Sequence, residues 1–116
     1  MNPAVDFAIL DTLAEDLEVD TMVTILASFL EDARARTATA RIAWAEGDVE
    51  RLRQEAHTIK GASSSLGLSA ICDASLTLEM AARNGTASLD AITAVSRAIE
   101  ALSSQLEGSA YTLDPQ

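Results

Sequence analysis

Apolar residues recur at helical spacing from the start of this chain. The first such segment predicts a short helix from Asp6 to about Leu17, with one apolar face made of Phe7, Leu10 and Leu13. The second is longer and predicts a helix that Asp20 caps and that continues to Trp44. Its apolar positions are Met22, Ile25, Leu26, Phe29, Leu30 and Ala33.

Glycine and capping residues divide the rest of the chain into three more helices. Gly47 ends the second helix, and Asp48 caps a third helix that runs to about Leu66. Gly67 marks a tight connection, after which Ser69 is the candidate N-cap of the fourth helix.

The fourth helix is predicted to end at Asn84-Gly85, and the last to run from near Ser88 to Gly108. The apolar positions of these two helices are Ile71, Leu76, Leu78, Met80 and Ala82, and then Ile92, Val95, Ile99, Leu102 and Leu106.

These elements predict an all-α fold, an antiparallel up-down four-helix bundle with an additional short N-terminal helix that caps one end. Short connections favour antiparallel neighbours. Proline occurs only at Pro3 and Pro115, so no internal segment is barred from being helical. Aromatic residues make up only 3% of the chain, which suits a core of closely packed aliphatic helices. We expect a single domain over residues 1–116, with its bundle core at about 20–108 and a frayed tail at 109–116.

The net charge bears on the partners of this chain, and its cysteine content bears on its compartment. The formal net charge is −10, from 18 acidic and 8 basic residues, which disfavours nucleic acid and anionic membrane surfaces. The single cysteine, Cys72, has no partner for an internal disulfide, so a reducing compartment fits. With no signal-like or spanning apolar run, we expect a cytoplasmic protein.

The only histidine, His57, lies on the third helix, on the side opposite the apolar stripe. Leu52, Ile59 and Leu66 cluster on one side of this helix, and His57 points nearly the other way. Beside it at i+3, i+4 and i+7 stand Lys60, Gly61 and Ser64. Glycine within a helix costs roughly 1 kcal/mol relative to alanine, which is tolerated where a partner must approach closely. An exposed imidazole beside an ammonium group is suited to carrying phosphate.

Plainer interpretations stand beside this one. A lone histidine is most often a surface residue without a role, and one histidine with Cys72 falls short of a metal ligand set, so no metal is expected. Apolar neighbours predict a buried, inert Cys72 thiol. Asp11, Glu15 and Glu18 are expected to form a solvated face. Ser63, Ser64 and Ser65 form no hydrolase site, because no acid–histidine pair is spaced to activate them. Arg34, Arg36 and Arg41 are expected to pair with Glu31, Asp32 and acidic neighbours at the surface, and the alternative is that some of them flank a docking surface.

The run from Ala56 to Leu68, which reads AHTIKGASSSLGL, is followed by Ile71, Cys72 and Leu78-Glu79. Together these residues closely resemble the signature of histidine-containing phosphotransfer (HPt) domains. The resemblance implies a four-helix bundle that relays phosphate between receiver domains in two-component signal transduction.

By this resemblance, His57 accepts the phosphoryl group at Nε2, and Lys60 steadies it. Gly61 leaves room for the receiver, and Ser64 donates a hydrogen bond to a phosphate oxygen. The receiver domains of a hybrid histidine kinase and of a response regulator are the implied partners. The receiver, and not this chain, supplies the aspartate and the Mg²⁺, so no cofactor is expected here.

We therefore expect a monomeric, stoichiometric phosphoryl carrier and not an enzyme, because the chain has no glycine-rich nucleotide-binding segment for a kinase. Docking is expected on a modest apolar patch built from the second and third helices around His57. The alternative is a helical adaptor that binds a receiver or kinase domain without accepting phosphate. Dimerisation through the first helix also stays open.

Overall fold

The computed structural model describes residues 3–113, and these residues form helices and connections without a strand. The helices are α1 (Phe7–Asp16), α2 (Val19–Glu46), α3 (Val49–Ser65), α4 (Ser69–Asn84), α5 (Leu89–Glu100) and α6 (Leu102–Leu106). The four long helices close a ring, in which α2 and α4 each pack against both α3 and α5. The predicted all-α four-helix bundle with an additional N-terminal helix is confirmed.

The core consists almost entirely of aliphatic side chains at helical spacing. Every helix contributes fully buried residues, among them Leu10, Leu26, Leu52, Leu78, Ile92 and Leu102. On α2 the buried positions include Ala33, Ala40 and Ala43, whose small side chains let the neighbouring helices approach closely. Along residues 3–113, no helix is both long enough and apolar enough to cross a bilayer.

Of the three predicted N-caps, Asp48 is confirmed, and Asp20 and Ser69 are wrong. Asp48 accepts a hydrogen bond from the backbone N–H of Arg51, and Ser88 accepts one from that of Ala91. In contrast, Asp20 lies in the first turn of α2, whose N-cap position is Glu18.

Ser69 likewise does not cap α4, because it is the first residue of that helix. The backbone N–H of Ala70, near the start of α4, donates instead to the carbonyl of Ala4, at 3.1 Å. The segment before α1 therefore satisfies one of the N–H groups at the start of α4.

The predicted last helix, from Ser88 to Gly108, is divided in the structure. α5 ends at Glu100 and α6 begins at Leu102. Ala101 between them keeps nearly helical angles, with φ −77° and ψ −13°. The interruption is therefore mild, and Leu102 and Leu106 are still fully buried.

The prediction of a frayed tail is wrong for residues 109–113, whereas residues 114–116 lie outside the described part of the chain. Tyr111 is buried, and its hydroxyl donates a hydrogen bond of 2.7 Å to Asp11 of α1. This hydrogen bond, followed by burial, raises the pKa of Tyr111 above its ordinary value. The bond joins residues that lie far apart in the sequence, which a local pattern cannot indicate. Asp11, Glu15 and Glu18 are all exposed, so the predicted solvated face is confirmed.

α1 covers the end of the bundle at which α3 connects to α4. The backbone N–H of Asp6 donates to the carbonyl of Gly67 at 2.7 Å. Gly67 has a φ of +71°, and a Cβ built on it would lie 2.8 Å from the carbonyl oxygen of Asp6. Only glycine fits here, because both the backbone angle and the contact with α1 exclude a side chain.

Alanine at Gly67 should destabilise the protein more than alanine at Gly85, which serves as the matched control. Gly85 has a similar φ of +74°, but its Cβ would meet nothing within 4 Å. We expect G85A to lose about 1 kcal/mol of unfolding free energy for the left-handed angle alone. G67A should lose about 3 kcal/mol, since overpacking against α1 adds to that cost. Urea denaturation of both variants measures this difference, and equal losses would contradict the close packing of α1.

Candidate functional site

His57 projects outward from α3, as its helical phase predicts. Its side chain is 58% exposed, while Leu52, Ala56 and Ile59 of the same helix are buried in the core. The ring is nevertheless held on one side, because Nδ1 lies 2.8 Å from Oε2 of Glu79 on α4. The imidazole is therefore open to solvent and oriented at the same time.

Glu79 brings the basic side chains of the site together. Its own side chain is only 3% exposed. Its Oε1 lies 3.0 Å from Nζ of Lys60, and its Oε2 accepts a hydrogen bond of 3.3 Å from Nη2 of Arg83. Arg53, which also forms two short bonds with Glu50, approaches Glu79 to 3.9 Å. A single buried carboxylate is thus surrounded by one imidazole and three cations.

The ionisation of Glu79 determines which nitrogen of His57 carries the proton. Burial acts to raise the pKa of Glu79, but the hydrogen bonds and charges of Lys60 and His57 outweigh it, so the pKa lies below its ordinary value. An ionised carboxylate can only accept hydrogen bonds. Nδ1 of His57 must therefore be the donor, and a neutral ring has its lone pair on Nε2.

Lys60 lies in the predicted position, one turn from His57, with its amine held by Glu79. Gly61 is exposed on the same helix, and a Cβ built on it would meet nothing within 4 Å. Packing within the chain therefore does not require glycine at this position. A partner that approaches the helix from outside would explain why it is kept despite its cost to the helix.

Ser64 lies apart from the cluster around Glu79. Seven residues, or about 10.5 Å of helical rise, separate it from His57. It borders a shallow depression, together with Gly67 and Cys72. The hydrogen bond from Ser64 to a phosphate oxygen stays a prediction. The Cys72 thiol is half-buried and borders this depression, so the expectation of a fully buried thiol is wrong.

The basic residues of α2 form longer-range pairs than the sequence predicted. Arg36 does bind its helix neighbour Asp32, but it also donates a hydrogen bond of 3.1 Å to the buried Glu55 of α3. Arg34 pairs with Glu100 of α5 instead of with a neighbour on its own helix. Within residues 3–113, no three His, Cys, Asp or Glu side chains are grouped in a way that could hold a metal ion.

Glu79 is the residue whose role the sequence pattern missed. In the sequence it is only part of the Leu78-Glu79 match, and no local pattern links a carboxylate with His57. The available signal was a glutamate next to the core positions Ser75 and Leu78 of α4. Such a position indicates burial at the edge of a helix face, but it does not indicate which neighbouring side chain the carboxylate meets.

Comparisons with known proteins agree with this geometry. A family model described as Hpt domain matches residues 24–109. The crystal structure of histidine-containing phosphotransfer protein B (HptB) from Pseudomonas aeruginosa PAO1 is similar to this chain, with 29% sequence identity and a TM-score of 0.79. The similarity covers 86% of this chain and 88% of that one. Among curated proteins, no sequence matches this chain.

Replacing Glu79 with glutamine should lower stability in a pH-dependent manner. At pH 7 we expect a loss of about 1–3 kcal/mol, because Lys60 and Arg83 lose a buried charged partner. The pKa of Glu79 is lowered by folding, so its stabilising effect is complete above the unfolded-state pKa and is lost as the pH falls through the folded-state value. The difference between wild type and E79Q should therefore shrink towards pH 3.

Urea denaturation at pH 7 and at pH 3 measures this dependence. E50Q is the control, because Glu50 binds Arg53 at the exposed surface, where ion pairs stabilise little. A stability difference for E79Q that is the same at both pH values would contradict an ionised, buried Glu79.

Proposed function

This chain belongs to the Hpt domain family and functions in histidine phosphotransfer within a phosphorelay, and on this premise we propose that His57 is its phosphoryl acceptor. The observation that supports this assignment is the hydrogen bond between Nδ1 of His57 and the buried carboxylate of Glu79. It leaves the lone pair of Nε2 on the exposed side of α3, where a partner can reach it.

The transfer follows from this tautomer. The Nε2 lone pair attacks the phosphorus of a phosphorylated aspartate on the receiver, so that a P–N bond forms while the P–O bond to the aspartate breaks. The aspartate leaves as a carboxylate, and the Nδ1 proton stays in its hydrogen bond to Glu79. The ring gains positive charge as the P–N bond forms, and the negative charge of Glu79 stabilises it. The reverse sequence passes the phosphoryl group to the next receiver.

Lys60 supplies positive charge next to the arriving phosphoryl group. Phosphoryl transfer passes through a loose transition state, in which positioning and charge neutralisation do most of the work. Lys60 and Arg83 already stand beside His57 through their contacts with Glu79. A short movement of the Lys60 amine would bring it from the carboxylate to a phosphate oxygen, where it acts as a point charge.

The remaining requirements are assigned to the partner. The receiver supplies the aspartate and the Mg²⁺, and this chain acts as a monomeric, stoichiometric carrier that undergoes no net change. The upstream partner is the receiver of a hybrid histidine kinase, and the downstream partner is the receiver of a response regulator. The competing proposal is an adaptor that does not accept phosphate. Such an adaptor does not require the imidazole of His57 to be oriented by Glu79.

His57→Gln should abolish phosphate uptake without unfolding the protein, because the imidazole is largely exposed. In the assay, the chain is incubated with Mg²⁺ and with receiver domains that carry labelled phosphate. Label that appears on the chain, survives alkali and is lost in acid identifies phosphohistidine.

K60A should slow uptake by about tenfold or more, as expected for a charge that acts in the transition state. S64A tests the predicted Ser64 contact and should have a smaller effect. Uptake by H57Q, or by no form of the chain, would contradict the proposal.

Enlarging Gly61 should impair transfer while leaving the fold intact. The open space around Gly61 accepts a side chain, and both alanine and glutamine are better helix formers than glycine. We therefore expect G61A and G61Q to unfold at the same or a higher temperature than wild type. Transfer from the receiver should decrease in the order wild type, G61A, G61Q. Normal transfer by G61Q would show that no partner approaches this part of α3 closely.

A further inference from the structure

Large apolar side chains reach the surface in several places, and one of these is on α4, the helix that supplies Glu79 to His57. Leu17 and Val19 are exposed at the connection between α1 and α2. A second group, Ile42, Trp44 and Val49, is exposed around the connection between α2 and α3. The third group is on α4, where Leu76 is 41% and Met80 is 51% exposed, and Phe7 of α1 and Leu89 of α5 are exposed as well.

Leu76 and Met80 are neighbours of the residue that holds His57. They are four residues apart on α4 and so form a continuous strip on its outer side. Glu79 lies one turn from Leu76 and directly precedes Met80, and it contacts His57. The outer face of the α3–α4 pair thus presents an imidazole, the open position at Gly61 and an apolar strip.

The exposed large apolar residues of α2 lie near its two ends. Trp44 and Val49 line the same cleft at the α2–α3 connection. Val49 precedes His57 by eight residues on one helix, which corresponds to about 12 Å of rise. Between these ends, Arg36 of α2 forms an ion pair with Glu55 of α3, and Ala38 is a small exposed residue. In the patch that the sequence placed on α2 and α3, the exposed large apolar residues of α2 are therefore confined to the ends of this helix.

Charge favours the same side of His57. Arg53, Lys60 and Arg83 all meet Glu79, so all three lie at the seam between α3 and α4. These three cations outnumber their carboxylate partners Glu79 and Glu50, on a chain whose net charge is −10. A receiver that brings a phosphorylated aspartate and the carboxylates that hold Mg²⁺ is acidic at the point of contact, and this excess of cations complements it.

We propose that the receiver domain docks across the α3–α4 seam, with Leu76 and Met80 as its apolar contact and Arg53, Lys60 and Arg83 as the basic edge. This docking surface rests on the function proposed above, because it takes His57 as the centre of the contact. Two exposed apolar residues beside a reactive group suit a small and transient interface, in which few side chains provide most of the binding energy.

Binding to an unreactive receiver tests this surface apart from the chemistry. The receiver is chosen from a panel by its binding to the wild-type chain, and its aspartate is loaded with Mg²⁺ and beryllofluoride, a phosphate mimic that is not transferred. L76Q/M80Q should bind at least about tenfold more weakly in calorimetric titration, because two apolar contacts are lost. I42Q is the matched control, since Ile42 is a 58% exposed apolar residue of α2, and it should bind within about twofold of wild type.

Glutamine has a helix propensity close to that of leucine and methionine, so the double variant should keep the helical content and unfolding temperature of wild type. If it does not, the single variants L76Q and M80Q replace it in the titration. Unchanged binding by the folded α4 variants, or equal weakening by I42Q, overturns the docking surface. Phosphate uptake by wild type is measured in parallel. A chain that binds through Leu76 and Met80 but takes up no phosphate would refute the proposed function and leave the docking surface in place.

Discussion

The site depends on a carboxylate that is nearly excluded from water and still carries its charge. A buried carboxylate stays ionised only where donors and cations replace the lost hydration. Around Glu79 these groups come from two helices: Arg83 from α4, and Arg53, Lys60 and His57 from α3. The same contacts fix how α3 lies against α4, which nitrogen of His57 is protonated and which way the ring faces. One set of electrostatic contacts therefore both fixes the packing of α3 against α4 and orients His57 for attack.

α3 is held by buried carboxylates on both of its sides. Glu55 binds Arg36 of α2, and Glu79 of α4 binds residues of α3, while Leu52, Ile59 and Ser63 fix the inner face. Only the outer face, with His57 and Gly61, is left without packing inside the chain. A rigid helix with one free face suits a carrier, because the partner can bring the aspartate, the metal and the phosphoryl group to a histidine that is already oriented.

Local periodicity predicts the four long helices of the bundle and the exposure of His57, because each depends on residues three or four positions apart, although it merges α5 with α6. It failed where the deciding contact is distant. The hydroxyl of Tyr111 donates to Asp11, and a backbone N–H at the start of α4 donates to the carbonyl of Ala4, whereas Ser69 does not cap this helix. Glu79 belongs to the same class, since its partners His57 and Lys60 lie on another helix. The sequence indicated the groups that react, whereas the group that orients them depends on how α3 and α4 pack.

The most direct test of this account is the position of phosphate on the imidazole ring. Nuclear magnetic resonance of the phosphorylated chain, with ¹⁵N-labelled histidine and ³¹P detection, distinguishes a phosphoryl group on Nε2 from one on Nδ1. Because Nδ1 donates to Glu79, we expect phosphate on Nε2, with the proton retained on Nδ1. Phosphate on Nδ1 would show that the bond to Glu79 is broken when the group is accepted, and would contradict the central role of that carboxylate.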